Sequence, residues 1–478
     1  MSTTSPPIST EQALLDSLAA IVGQTNVLTG NSVSSRATHF WDSTPLVAKA
    51  IVRPADTRET AAVLKVCHEA RQSVVTHGGL TGLVDGNHST ESDIVLSLER
   101  QNRIESIDQT GRTITVQAGA VLETVQTAAK DKQLQLGLDL GARGSCTIGG
   151  NLSTNAGGFS VLRYGMAREQ VLGLEVALAD GTVLSSMNRM MKNNAGYDLK
   201  QLFIGSEGTL GVITRAVLRL RAATPEVHTA ILAFEDFTKV TRTLTLLDTA
   251  FNGTLDAFEV IWQPFYRLNT NPDNPQCTQA PLSRDFPVYA IVESRSSSNQ
   301  GAEATFQNAL EKGLEEELFV DAAIAQSQKD RSNIWSVREN IDLAMEFDPL
   351  FVYDISLPIA DMDGYVKTLL ASMKSIWPAV TVFVYGHLAD GNLHVLVSPP
   401  KDTSSTDESL VEKWRALSNE VVYKPLQELG GSISAEHGIG LSKKAYLPLS
   451  RTPEEIEMMR ILKKSLDPAN VLNPGKIV

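Results

Sequence analysis

Apolar residues recur along this chain in two rhythms, and the rhythms change at glycine and proline. Residues 11–24 carry apolar side chains at helical spacing and read as an amphipathic helix. The stretch AIVRPADTRETAAVLKVCHEARQSVVTHGG, residues 50–79, reads as strand, helix, strand and glycine-rich loop. Thr57 is the expected helix cap, with Ala61, Val63, Leu64 and Cys67 as the apolar positions. DIVLSLER, TITVQAGAV and VLGLEVALADGTVL read as strands, the last with an Asp-Gly hairpin turn. GVITRAVLRLRAA closes this first region near residue 222. From 223 to about 425 strands and helices alternate, interrupted by the loop NTNPDNPQCTQAPLSRD. The tail 426–478 carries GSISAEHGIG, a helix expected at 453–465, and DPANVLNPGK. No internal repeat or low-complexity tract is present.

With 478 residues, two or three packed domains are expected. A net charge of −13 with no basic patch argues against nucleic acid as a partner. The start, MSTTSPPIST, lacks a basic region and an apolar run, so no secretory signal is expected. No stretch of about 18 apolar residues suits a membrane span. Cys67, Cys146 and Cys277 lie far apart without a CxxC pair and read as free thiols of a reducing compartment. The cytoplasm, or the mitochondrial matrix if the source is eukaryotic, is the expected location.

Two glycine-rich stretches follow apolar runs. HGGLTGLVDG, His77 to Gly86, reads equally as a tight loop or as a phosphate cradle, and its spacing is neither a Walker loop nor the dinucleotide fingerprint. The second stretch, Gly144 to Gly158, adds glycine, hydroxyl and amide groups. Two such loops in one domain suit a long, doubly anionic ligand, and a flavin dinucleotide fits. In YGHLADGNLHVLV, residues 385–397, two β-rich arms flank Asp390-Gly391. A two-residue turn there makes His387 face His394, close enough to share a metal ion, although a hydrogen-bonded histidine pair is equally compatible. Glu436, at the end of an apolar run, offers a third ligand.

GARGSCTIGGNLSTNAGG, LRYG, VLGLEVALADGTVL, GYDLKQLFIGSEGTLGVIT, GHLADGNLH, SAEHGIG and VLNPGK occur in this order. Together they resemble the D-2-hydroxyglutarate dehydrogenase branch of the D-2-hydroxyacid dehydrogenases, within the vanillyl-alcohol-oxidase-like flavoproteins, over roughly residues 45–478. The resemblance implies an α+β architecture. A PCMH-type FAD-binding domain would span 1–222 (core about 45–222), an α+β substrate or cap domain 223–425, and a C-terminal segment 426–478 would return to the FAD domain. It implies FAD held by His77, Gly78, Gly79, Leu80, Thr81 and Gly82 at the pyrophosphate. Gly144, Ser145, Thr147, Ile148, Gly149, Gly150, Ser153, Asn155 and Gly158 would line the cofactor, Glu207, Gly208 and Ile213 would contact its adenine or ribose side, and Asn473 would lie near the flavin. Thr81 stands where some relatives have a flavin-linking histidine, so non-covalent FAD is expected, and His77 replaces the branch's usual arginine.

By the same resemblance His387, His394 and Glu436 bind a divalent metal, zinc foremost, with manganese or iron as alternatives. Arg338 would grip a substrate carboxylate, Asn392 would contact substrate, and His437 would be the general base. The expected reaction is oxidation of a D-2-hydroxyacid to the 2-oxo acid, with hydride passing to flavin N5. The branch grips the distal carboxylate of D-2-hydroxyglutarate with a threonine and a lysine, and here those positions are Asp342 and Val352. Asp342, four residues after Arg338, could pair with it at helical spacing. These changes favour neutral or apolar tails, as in D-lactate, aryl- or branched D-lactates and D-mandelate, with D-2-hydroxyglutarate as the alternative. Electron-transfer flavoprotein or a quinone is the expected acceptor, and a homodimer is compatible with the chain.

Overall fold

The strand, helix and strand expected over residues 50–79 are Ala50–Val52, Thr57–Glu69 and Val74–His77 in the computed structural model. This structure describes residues 11–39, 43–297, 301–400 and 407–478, so the reading of the first ten residues lies outside it. The helix buries Ala61, Val63, Leu64 and Cys67 as its apolar spacing requires. Its cap is Asp56 rather than Thr57: the Asp56 carboxylate accepts the Glu59 N–H at 2.9 Å. Thr57 is the first helical residue instead, and its hydroxyl donates to Glu175 Oε1 at 2.6 Å.

The chain divides into two compact units. The first comprises Met1–Gly158, Tyr164–Ala223 and Glu436–Val478; the second comprises Phe159–Arg163 and Thr224–Ala435. The chain thus passes from one to the other between Ala435 and Glu436, whereas residue 425 lies inside the helix Glu408–Glu428.

In the first unit, a four-stranded sheet runs in the order Val27–Leu28, Ala50–Val52, Ile94–Ser97, Val74–His77, the last three strands parallel. A six-stranded antiparallel sheet is centred on Val212–Ala222, which pairs with Thr113–Gln117 and Val171–Ala177, and near its end with Leu134–Leu136. One apolar core joins both sheets, from Val52, Leu64 and Leu96 to Ile114, Val176 and Leu218. The C-terminal tail returns to it. Beyond the helix Pro453–Leu466, Val74 N–H donates to Val471 O at 2.7 Å and Asn473 N–H donates to Val74 O at 2.8 Å.

The second unit is built on a seven-stranded antiparallel sheet in the order Asp321–Ile324, Glu226–Phe234, Val288–Ser296, Leu255–Trp262, Thr381–His387, Asn392–Ser398, Phe351–Ser356. Leu255–Trp262 is buried along its whole length, its two carboxylates Asp256 and Glu259 included. One face carries Ile231, Ala257, Ile261, Tyr289, Ile291, Tyr385 and Leu396, packed against Ile334 and Trp335 of the helix Gln328–Glu339.

The turn between the two histidine-bearing strands differs from the expected one. Leu388–Asp390 forms a short 3₁₀ turn and Gly391 sits at φ 82°, so four residues connect the strands, not two. His394 therefore faces Tyr385 and not His387. The register is displaced by two residues, one full period of a strand, so both imidazoles stay on the same face. Their ring centroids lie 5.5 Å apart at 78°. Among the described residues, no helix is long and apolar enough to cross a membrane.

Candidate active site

On the covered face of the second unit's sheet, polar groups gather at one end. Glu259 faces His387 in register, and its side chain is 1% exposed. His387 Nδ1 lies 2.5 Å from Glu259 Oε1, and Arg338 Nε donates to Glu259 Oε2 at 2.8 Å. Burial pushes the Glu259 carboxyl up, but His387 and Arg338 outweigh it and hold the group below its ordinary range. Arg338 is buried, its guanidinium 4.3 Å above the Tyr385 ring centre, and its Nη2 lies 3.4 Å from His387 Nε2. It is therefore no solvated helix charge. The edge of Phe159 packs on the His387 ring at 5.8 Å.

Next to this array, His394 pairs in register with Asp354, and the two offer ligand atoms within 4.8 Å of each other. Asp354 is wholly buried. Its Oδ1 accepts Asn392 Nδ2 at 2.9 Å and its Oδ2 accepts the Ala435 N–H at 3.1 Å. Asn392 Nδ2 also donates to Ile355 O at 2.9 Å, so the expected substrate-contacting amide commits its donors to the fold. Burial pushes the Asp390 carboxyl, in the turn, up to about 6.

The expected ion pair between Arg338 and Asp342 is not formed. The helix ends at Glu339, and Asn340 (φ −76°, ψ 77°) breaks the helical spacing that the pair requires. Asp342 is exposed at the start of the short helix Asp342–Met345, and Arg338 pairs with Glu259 instead. Val352 faces Leu396 and is half-buried against the apolar cluster. Glu259 was missed by the sequence reading. The available signal was a carboxylate mid-strand in LDAFEVIW, the second after Asp256, where an unpaired charge would be costly.

In the first unit, the two glycine-rich loops lie against each other. A Cβ on Gly79 would sit 2.2 Å from Ser145 O, and one on Gly78 would sit 2.6 Å from Thr147 Oγ1. Thr147 Oγ1 is buried without a hydrogen-bond partner among the described residues, as a site that receives an acceptor-rich ligand requires. Leu80, Thr81 and Gly82 continue the first loop. Gly144 and Ser145 precede Thr147, and Ile148, Gly149, Gly150 and Ser153 form the short helix Ile148–Ser153. Asn155 Oδ1 accepts the Arg168 N–H at 2.9 Å, and Gly158 ends the segment against Asp139 O. Ile213 belongs to the apolar core. These residues fit a flavin dinucleotide's phosphates and hydrogen-bonding edge.

Like Asn155, three further expected cofactor residues have partners within the fold. His77 is buried with its Nε2 2.8 Å from Asn87 O, and burial lowers its pKa to about 4, so it holds the loop as a neutral ring. Asn473 accepts the Thr76 N–H at 3.0 Å and donates to Glu207 O at 2.7 Å, beside Gly208. The Glu207 carboxylate accepts the N–H groups of Ile439 and Gly440 at 2.7 and 2.8 Å. A Cβ on Gly438 (φ +90°) would lie 2.8 Å from that carboxylate, so only glycine suits the segment following Glu436 and His437. His437 Nε2 lies 4.0 Å from Glu436 Oε1.

Residues 48–186 match the FAD binding domain model, and residues 224–477 match that of the FAD linked oxidases, C-terminal domain. A D-2-hydroxyglutarate dehydrogenase of Xanthomonas citri pv. viticola is 38% identical over 445 residues, 92% of this chain and 90% of that one. The chain belongs to the FAD-linked oxidase family, in its D-2-hydroxyacid dehydrogenase branch. The mitochondrial D-2-hydroxyglutarate dehydrogenase of Bos taurus is 38% identical over 432 residues, 90% of this FAD-linked oxidase and 77% of the relative. The solved structure of p-cresol methylhydroxylase with substrate bound shares the fold, with a TM-score of 0.77 at 15% identity, covering 98% of this chain and 96% of that one. The expected α+β architecture with a PCMH-type FAD-binding domain is thereby borne out.

Two outcomes follow for this FAD-linked oxidase. Gly79→Ala should abolish FAD loading, because the new methyl meets backbone atoms of the second loop; a yellow variant with the wild-type flavin-to-protein absorbance ratio would contradict this. His77 sets a pH dependence. Its folded pKa lies about 4 against an ordinary 6.5, so the unfolded chain takes up the proton first. The stability it confers is complete above about pH 6.5 and is lost as pH falls towards 4, about 3 kcal/mol in all. His77→Gln should flatten urea-unfolding stability across that window, and an unchanged slope would exclude His77 as its source.

Proposed function

We propose that this enzyme oxidises a D-2-hydroxyacid to the corresponding 2-oxo acid, using non-covalent FAD and one divalent ion. The observation that carries this reading is the buried array of Glu259, His387 and Arg338, which sets an imidazole and a guanidinium side by side in an apolar wall. A planar guanidinium suits the substrate's α-carboxylate. His387, His394 and Glu436 would hold the ion. With Nδ1 of His387 on Glu259, its Nε2 is the ligating atom, and two imidazoles with a carboxylate make a donor set that suits zinc, manganese or iron. When bound, FAD supplies the hydride acceptor and the ion supplies the Lewis acid that lowers the hydroxyl pKa. His437 then takes the hydroxyl proton, while Arg338 fixes the carboxylate end. Thr81, in the first loop, supplies no imidazole for a covalent flavin link.

D-2-hydroxyglutarate is the substrate favoured by the names of the relatives. One observation favours a second reading with neutral tails such as D-lactate or D-mandelate. Val352 presents an apolar side chain where the branch has lysine, and exposed Asp342 replaces its threonine. The electron acceptor is read as electron-transfer flavoprotein or a quinone. Three free cysteines suit a reducing compartment, the cytoplasm or the mitochondrial matrix.

Two experiments test this reading. Stripping divalent ions from the holoenzyme should stop anaerobic bleaching of FAD by substrate while the flavin stays bound, and His437→Ala should slow that bleaching by about 10²–10⁴-fold. Full bleaching by a sample shown metal-free by elemental analysis would refute the metal's part. For specificity, Val352→Lys should raise kcat/KM for D-2-hydroxyglutarate relative to D-lactate by about tenfold, the scale of one charge-assisted contact. An unchanged ratio would mean that another basic residue already holds the distal carboxylate.

A further inference from the structure

We infer that Glu259 is a positioning residue for both halves of substrate recognition: one carboxylate fixes the ligating nitrogen of His387 and the orientation of Arg338. This rests on the reading above, in which His387 holds the ion and Arg338 the substrate carboxylate.

The geometry leaves Glu259 no other task. It lies mid-strand in Leu255–Trp262, a strand with no exposed residue, and both of its oxygens are engaged by these two side chains. An ionised carboxylate only accepts, so the His387 nitrogen facing it, Nδ1, carries the hydrogen. Nε2 therefore carries the lone pair; it lies 3.4 Å from Arg338 Nη2, which agrees with that tautomer, and an ion on Nε2 would take the place of this contact. On the other oxygen, the Arg338 Nε–H is fixed while the Tyr385 ring supports the guanidinium plane. The terminal amino groups remain as donors for a planar carboxylate. A ligating histidine oriented by a carboxylate is held in one tautomer and made more basic, and loss of the partner weakens metal binding by about 10–100-fold.

Glu293 provides an internal comparison. It is equally buried on the adjacent strand, and it accepts from Arg331 and Trp335 of the same helix that carries Arg338. It bonds neither His387 nor Arg338. Removing its charge therefore damages the same sheet and helix without touching the proposed recognition pair.

The test compares Glu259→Gln and Glu293→Gln in the FAD-loaded enzyme. The readouts are zinc affinity by competition with a chromogenic chelator, the KM and kcat for D-2-hydroxyglutarate, flavin content and melting temperature. A glutamine at 259 can accept from only one partner, and its amide N–H₂ meets a donor on the other. Glu259→Gln should weaken zinc binding about 10–100-fold and raise KM more than it lowers kcat, with flavin content retained. Glu293→Gln should lower the melting temperature while leaving zinc affinity and KM at wild-type values. Wild-type zinc affinity and KM in Glu259→Gln would overturn the inference, as would equal losses of both in the two variants. If Glu259→Gln does not fold, Glu259→Asp keeps the charge but is too short to reach both partners; it should lose zinc affinity, and wild-type affinity there would overturn the inference. A wild-type enzyme that binds no zinc, manganese or iron would fail at the earlier step, removing the metal reading and this inference with it.

Discussion

A carboxylate taken out of water must be paired, because an unmatched buried charge costs several kcal/mol. Two of the carboxylates that the second unit buries, Glu293 and Glu259, stand on neighbouring strands of one sheet face, and the helix Gln328–Glu339 supplies donors to both. Arg331, Trp335 and Arg338 stand four and three residues apart, on one helical face. The first two bond Glu293 and the third bonds Glu259. Moving the helix would take donors from both carboxylates at once, leaving Glu293 to Thr229 and Arg295 and Glu259 to His387, and a broken buried pair costs about 3–5 kcal/mol. The bond to Glu259 fixes where the Arg338 guanidinium stands beside His387.

The same device recurs where the chain crosses between units. Asp354, in the second unit, takes the N–H of Ala435. Glu207, in the first, takes the N–H groups of Ile439 and Gly440. Between these two holds lie only Glu436, His437 and Gly438. A short loop carrying a proposed metal ligand and a proposed base would ordinarily be among the more mobile parts of a fold. Here buried carboxylates tie the backbone on either side of it, so its φ and ψ freedom is confined to a few peptide units. Glu207 was expected at the cofactor, and its carboxylate also accepts from this backbone.

The periodic parts of the fold were legible in the sequence, and the polar interior was less so. The helix Thr57–Glu69 and the strands around it followed from apolar spacing, because burial of a face dictates period. The cap moved from Thr57 to Asp56, since two adjacent capping residues differ only in which one's side chain meets the Glu59 N–H. The hairpin's arms were legible but its turn was not: Asp390-Gly391 is compatible with a two-residue loop or with the end of a 3₁₀ turn. The histidines nonetheless came together, because an error of two residues preserves the face. The proposed pairing of Arg338 with Asp342 failed because spacing of four means contact only while the helix continues, and it stops at Glu339. Glu259 and Glu293 were largely invisible as partners, since Arg331, Trp335, Thr229, Arg338 and His387 stand 38 to 128 positions from the carboxylate they bond and no local pattern encodes such a distance; Arg295, two residues from Glu293, is the local exception.

This division has a consequence for how substrate class and substrate identity are encoded. In the proposed reading, recognition of the α-carboxylate falls to Arg338, whose position is held by its pairing with buried Glu259. A change at Arg338, Glu259 or His387 strands a partner in an apolar wall, so that part of the site is tied to the stability of the unit. Val352 and Asp342 are different. Val352 is half-buried at a cluster margin, and Asp342 is exposed at the start of a short helix with no ion pair to Arg338. Substitution at either alters little of what holds the fold, with surface changes generally within about 0.5 kcal/mol. The residues that would meet a substrate's tail are therefore free to vary while the chemistry at Cα stays fixed. A chain can keep such an array, the family's fold and its cofactor loops, and still differ in the acid it prefers.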